Sequence, residues 1–108
     1  MANKEKADVL QGTLDLMILQ TVATMGPLHG YAVAERLEQV SSGAIQLNMG
    51  TLYPGLLRLE QRGWIRPIAS DDRRQPYTLT ASGRTHLQEQ TAALDAVVRT
   101  AQGRLKRA

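Results

Sequence analysis

The chain has 108 residues, 43% of them apolar and 21% charged, and a net charge of +3. That length suits one domain, and a chain of this size buries about 65% of its unfolded surface, enough for a core without covalent staples. It has no cysteine and two histidines, His29 and His86, which excludes a disulfide framework, a thiolate metal site, a cysteine nucleophile and a typical zinc cage.

Apolar residues recur at helical spacing through Leu10, Leu14, Met17, Ile18, Val22 and Met25. The pattern predicts a first helix over 10–25, started by Asp8 or Thr13 and ended by Gly26-Pro27. A second helix is expected over about 30–41, with Ala34, Leu37 and Val40 turned inward and Ser41-Ser42-Gly43 as its stop. A third is expected over 48–62, with Asn48 or Thr51 as its cap and Gly63 just past its end. Pro54 removes one donor near its first turn. Leu52, Leu56 and Leu59 form one stripe of this helix, and Thr51, Pro54, Arg58 and Gln61 form a polar, cationic face opposite.

Trp64 to Ala69 alternates like a strand, Ser70 to Arg74 is a charged turn, and Tyr77-Thr78-Leu79 reads as the return strand. Pro67 and Pro76 argue for exposed, edge positions in that ribbon. Thr80 then caps a final helix over 81–106, striped by Leu87, Leu94, Val97, Val98, Ala101 and Leu105. That helix is longer than a three-helix core can cover, so its far half calls for a second copy of the same helix, giving a homodimer.

Three helices, a ribbon and a last helix make a mainly α fold with a small β-hairpin, in the order of a winged helix-turn-helix. The expected division is a winged-helix unit over 8–80 and a dimerisation helix over 81–106. In this arrangement the third helix enters a major groove of double-stranded DNA, and the ribbon tip reaches the adjoining backbone or minor groove. Asn48, Thr51, Tyr53 and Arg58 are then the groove-facing candidates, Gly50 allows close approach, and Arg73 and Arg74 are the cations of the tip. The same pattern also fits an ordinary amphipathic helix beside a self-neutralised turn, and a winged helix serves equally as a protein-interaction module without sequence-specific DNA binding.

Charge is unevenly distributed along the chain. Residues 1–57 carry three cations against five acids, whereas residues 58–108 carry ten against five. Arginine supplies ten of the thirteen cations, and its planar fork suits phosphate and guanine edges. No apolar run approaches the ~20 residues that cross a bilayer, and Met1 to Lys6 lack the apolar stretch of a signal peptide, so a cytoplasmic protein with no membrane partner is expected. His29 reads as a cap or packed polar residue and His86 as solvated. Neither has a partner at fixed spacing for a catalytic or metal site, so no enzyme activity and no cofactor are expected.

Leu10-Gln11-Gly12-Thr13-Leu14-Asp15, Gly26-Pro27-Leu28-His29-Gly30-Tyr31, Gly50-Thr51-Leu52-Tyr53-Pro54, Leu59-Glu60-Gln61-Arg62-Gly63-Trp64-Ile65 and Tyr77-Thr78-Leu79-Thr80 with Gly83 stand in an order that resembles the PadR family of bacterial transcriptional regulators. The resemblance covers roughly residues 9–90, and the short final helix is similar to the small subfamily with one C-terminal helix. It implies a winged-helix homodimer on a pseudo-palindromic operator, usually as a repressor. It implies a recognition helix that includes Thr51, Tyr53, Pro54 and Arg58, a wing over 64–79 to which Tyr77 belongs, and a last helix that dimerises and packs near the first. It also implies that some members respond to small aromatic or drug-like effectors held between these helices, although no residue pattern here marks such a site. Pro76 departs from the donor-bearing residue more usual before the wing tyrosine, and the wing is short, which bears on the wing's pairing and reach.

Overall fold

The computed structural model describes residues 2–70 and 75–107, with side chains described for 12–70 and 75–104. Its elements are α1 (Ala2–Met25), α2 (Gly30–Val40), α3 (Met49–Gln61), β1 (Ile65–Pro67), β2 (Tyr77–Leu79) and α4 (Ala81–Arg107). Arg73 and Arg74 lie outside the described residues, as does the side chain of Leu105. The first helix begins at Ala2, well before Leu10. Residues 2–8 contain helix formers and neither Gly nor Pro, but they lack apolar spacing, so periodicity alone does not reveal them.

One core joins all four helices and the ribbon. Ile18, Leu19 and Val22 of α1 meet Val33, Ala34 and Leu37 of α2, the leucine stripe of α3, Ile65 of β1 and Leu87 of α4. Fully burying side chains of this size contributes about 1.5–3 kcal/mol each. Two residues expected inside, Met25 and Val40, are exposed. Each is the last residue of its helix, where the helix has run past its neighbours.

The ribbon is antiparallel, with Ile65 opposite Leu79, Arg66 opposite Thr78 and Pro67 opposite Tyr77. Tyr77 turns both backbone groups away from β1. Its N–H donates to the Leu28 carbonyl (2.9 Å) and its carbonyl accepts from the Leu28 N–H (3.1 Å). Pro67, opposite it, therefore has no ladder bond to give up. Pro76 does forfeit one: its carbonyl accepts from the Ile68 N–H at 2.8 Å, but it has no N–H to return. The α1–α2 connection is thus tied to the edge of the two-stranded ribbon by a single antiparallel bridge.

Past α3 the chain reverses at Gly63 (φ 77°), where the Trp64 N–H reaches back to the Leu59 carbonyl at 3.0 Å. This is the left-handed exit that a residue without a Cβ makes at no steric cost. Thr80 then begins α4. Its hydroxyl donates to the Gly63 carbonyl and accepts the Gly83 N–H (3.0 Å), while its N–H donates to the Trp64 carbonyl (3.0 Å). Leu87, expected on the dimerisation stripe, is buried in the core because it lies on the face of α4 that packs against α1. From residue 88 to 104 every side chain of α4 is exposed. A 27-residue helix is about 40 Å long, and the molecule measures 58 Å along its longest axis against 30 and 29 Å across.

A Cβ at Gly83 would collide with the Trp64 carbonyl oxygen and stand 3.0 Å from Leu79 Cδ1, whereas one at Gly12, also helical, would meet nothing. Gly83→Ala should therefore lower stability by about 2–3 kcal/mol, and Gly12→Ala should raise it by up to ~1 kcal/mol. Chemical denaturation of both variants checks this, and equal stabilities would contradict the close packing of α4 on Trp64.

Candidate nucleic-acid interface

The start of α3 is built by Asn48. Its backbone is extended (ψ 164°), its Oδ1 accepts the Thr51 N–H at 2.9 Å, and its carbonyl accepts the Leu52 N–H at 3.1 Å. Asn48 is therefore the cap, and its side-chain oxygen is committed to the helix. Pro54 lies inside α3 and offers no N–H to the Gly50 carbonyl one turn earlier. Gly50 is exposed and carries no side chain, so the helix start stays narrow there.

Burial sets which way α3 faces. Leu52, Gly55, Leu56 and Leu59 are inside, so Gly50, Pro54, Leu57 and Gln61 form the outward line, with Tyr53 and Thr51 exposed on its flanks. Leu57 takes the outward position that the sequence reading assigned to Arg58. The Arg58 guanidinium instead grips Asp15 of α1, with Nη2 to Oδ1 at 2.7 Å and Nε to Oδ2 at 3.3 Å. The cause is Gly55, one turn before Arg58. A Cβ there would stand 3.2 Å from Ile18 Cδ1, 3.3 Å from Arg58 Nη2 and 3.7 Å from Asp15 Oδ1, so its absence opens the slot in which the fork lies. The exposed line of α3 thus carries no charge.

Tyr77 is half-buried at the start of β2, opposite Pro67, and packs on the core. Burial raises the pKa of its phenol above 10.0, and the Glu60 carboxylate and the Tyr53 hydroxyl push in the same direction. Because the folded value is the higher one, the neutral phenol's contribution to stability is complete below pH ~10 and is lost as pH rises through the raised value. Arg62 and Arg66 are exposed cations near the two ends of the turn out of α3.

Three features have no counterpart in the sequence reading. His86, expected to be solvated, stacks on Trp64 with ring centroids 3.7 Å apart and planes 12° apart. The Arg62 guanidinium carbon lies 5.2 Å from the Trp64 ring centre. Beside this stack a cavity of about 500 Å³ is walled by Thr13, Asp15, Leu16, Trp64, His86 and Leu94. Only the pairing of a lone Trp after α3 with a His in the first turns of α4 could have signalled it. His29 stands at the start of α2, where its carbonyl accepts the Val33 N–H (3.1 Å), its side chain makes no cap and its Nδ1 is buried without a partner. Among the described residues no His, Asp or Glu cluster could hold a metal ion, and no helix is long and apolar enough to cross a membrane.

The side chains of Arg58 and Asp15 are 25% and 14% exposed, so their contact is only partly screened by water. A double-mutant cycle of Asp15→Ala and Arg58→Ala should give a coupling of about 1–2 kcal/mol, above the ~0.5 kcal/mol of an exposed pair. A coupling near zero would mean that the leucines alone orient α3.

Residues 18–89 match the model of the transcriptional regulator PadR-like family. An uncharacterised 37.1 kDa protein in transposon TN4556 of Streptomyces fradiae is 37% identical over 78 residues, which cover 72% of this chain and 22% of that protein. The chain thus spans about a fifth of that relative's length. Among solved structures, a PadR-like transcription factor from Bacteroides fragilis superposes with a TM-score of 0.82 at 22% identity, covering 92% of this chain and 96% of that one. A PadR-like transcriptional regulator from Bacillus cereus gives 0.72 at 25% identity, over 91% and 96%. The winged arrangement of α1–α3 and ribbon, and a family match over two thirds of the sequence, agree: the chain belongs to the PadR-like family of transcriptional regulators.

Proposed function

We propose that this chain is a cytoplasmic, non-catalytic repressor that binds a pseudo-palindromic operator in duplex DNA as a homodimer. The observation that carries this reading is the outward, capped start of α3, whose exposed Gly50, Thr51, Tyr53 and Pro54 stand clear of the core in a fold shared with transcriptional regulators. Its first-turn N–H groups and dipole favour phosphate, and Thr51 and Tyr53 reach base edges or the adjoining backbone. Tyr77 supports Tyr53 from the ribbon, Asn48 acts through its cap, and Arg58 acts by holding α3 on α1. Arg73 and Arg74 supply phosphate contacts from the tip.

The bare apolar stripe of α4 supports the dimer. Leu94, Val97 and Val98 are each more than half exposed, and Ala101 continues the line toward Leu105. Such a stripe is costly in water and is self-complementary between two antiparallel copies. Two subunits then read half-sites about 10 base pairs apart, or a multiple. The cavity beside Trp64 suits a small planar effector, stacked against the Trp64–His86 pair and bordered by the Arg62 charge.

Binding to synthetic duplexes as a function of salt tests the DNA reading. Arg73→Ala with Arg74→Ala should weaken binding to every sequence and reduce the slope of log affinity against log salt by up to about 2. Thr51→Ala and Tyr53→Ala should weaken a selected sequence more than random DNA. Val97→Glu with Val98→Glu should sediment as a single subunit and lose most of the affinity. A wild-type protein that ignores every duplex at low ionic strength would end this reading and leave the winged helix as a protein-docking module. For the effector, the fluorescence of Trp64, the chain's single tryptophan, should change on titration with planar aromatic compounds, and a flat titration across such a series would remove that part.

A further inference from the structure

We infer that α3 reads its half-site through the C5-methyl groups of thymine, with Leu57 as the reading side chain and Pro54 beside it. This inference rests on the DNA-binding reading above and adds the chemistry of the recognised base. From Asn48 to Leu57 there is no charged side chain. Two residues suited to hydrogen-bonded readout, the cap Asn48 and Arg58, are committed elsewhere, and Gln61 stands only at the far, C-terminal end of the outward line. Asn48 would need both Oδ1 and Nδ2 to read adenine, and its Oδ1 is held by the Thr51 N–H. Arg58 would need its fork to read guanine, and that fork is closed on Asp15.

What remains at the start and centre of the outward line, Gly50, Pro54 and Leu57, is apolar. Leu57 is 54% exposed although its neighbours Leu56 and Leu59 are at 1% and 0%, and Pro54 lies one turn before it. Among the groups that base pairs present in the major groove, the thymine methyl is the apolar one. A leucine aimed there gains by removing its own surface and the methyl from water together, whereas against a guanine or cytosine edge it would desolvate polar groups without pairing them. The flanks complement this face: the cations nearest the end of α3, Arg62 and Arg66, are exposed and able to meet phosphates while the central line meets bases.

The experiment begins with duplexes selected by the full-length protein from a synthetic random-sequence pool. In the tightest binder each dT is replaced, one at a time, by dU, which preserves pairing and removes only the methyl. Wild-type protein should lose about four-fold in affinity at one or two positions in each half-site. Leu57→Ala should bind the unsubstituted duplex about that much more weakly, and should no longer distinguish dT from dU at those positions. Because Leu57 is exposed, its replacement should leave the melting temperature unchanged. If dU is tolerated at every position, or if Leu57→Ala keeps the full dT preference, the methyl reading is overturned while DNA binding stands. If no duplex is selected at all, both fall together.

Discussion

The arrangement of this molecule depends on the burial of one stripe of α3. Leu52, Leu56 and Leu59 are sealed against α1 and α2, and a helix with three leucines locked on one side has no freedom to choose what it shows on the other. Turning α3 by a single residue would expose one of these leucines, at a cost of about 1.5–3 kcal/mol, and would drive Leu57 or Arg58 into the core. The Asp15–Arg58 fork adds a directional element to this nondirectional one. Because two parallel hydrogen bonds hold only one relative orientation, the pair favours the same rotation of α3 that the leucines set.

Much of this fold is legible in the residues themselves. The leucine stripe, the cap at Asn48, the exit at Gly63 and the start of α4 at Thr80 all rest on local chemistry, and local chemistry is what spacing and turn residues reveal. What escapes is decided across distance. Arg58 lies on the polar half of an ideal wheel, but its partner is 43 residues away, and no periodicity within α3 announces a carboxylate on α1. Leu57, next to the buried Leu56, is assigned no face by the leucine stripe, and its angle on the helix points outward. Leu87 continues the apolar stripe of α4 in sequence and belongs energetically to a different body, because the helix leaves the core just after it. The Trp64–His86 stack and the Leu28–Tyr77 bridge are likewise contacts between elements.

The charge pattern acquires a spatial meaning once these positions are known. The line of α3 that faces outward is neutral, and two exposed arginines stand beyond its end, Arg62 at the exit of the helix and Arg66 on the ribbon. Under the proposed reading, long-range attraction and base discrimination are thereby assigned to separate side chains. The attraction responds to salt and the discrimination does not, so each can be altered without disturbing the other. Cation pairing within the protein, as in Arg58 with Asp15, is used for internal geometry instead.

The seam formed by Gly63, Trp64, Thr80 and Gly83 has a mechanical consequence. The exit of α3, the foot of the ribbon and the first turn of α4 meet there through three hydrogen bonds and a backbone-to-backbone contact too tight for any side chain. Helix α4 then continues without a proline for 27 residues. Under the proposed reading, this seam is where a displacement of the far end of α4 would be passed to the ribbon and the end of α3.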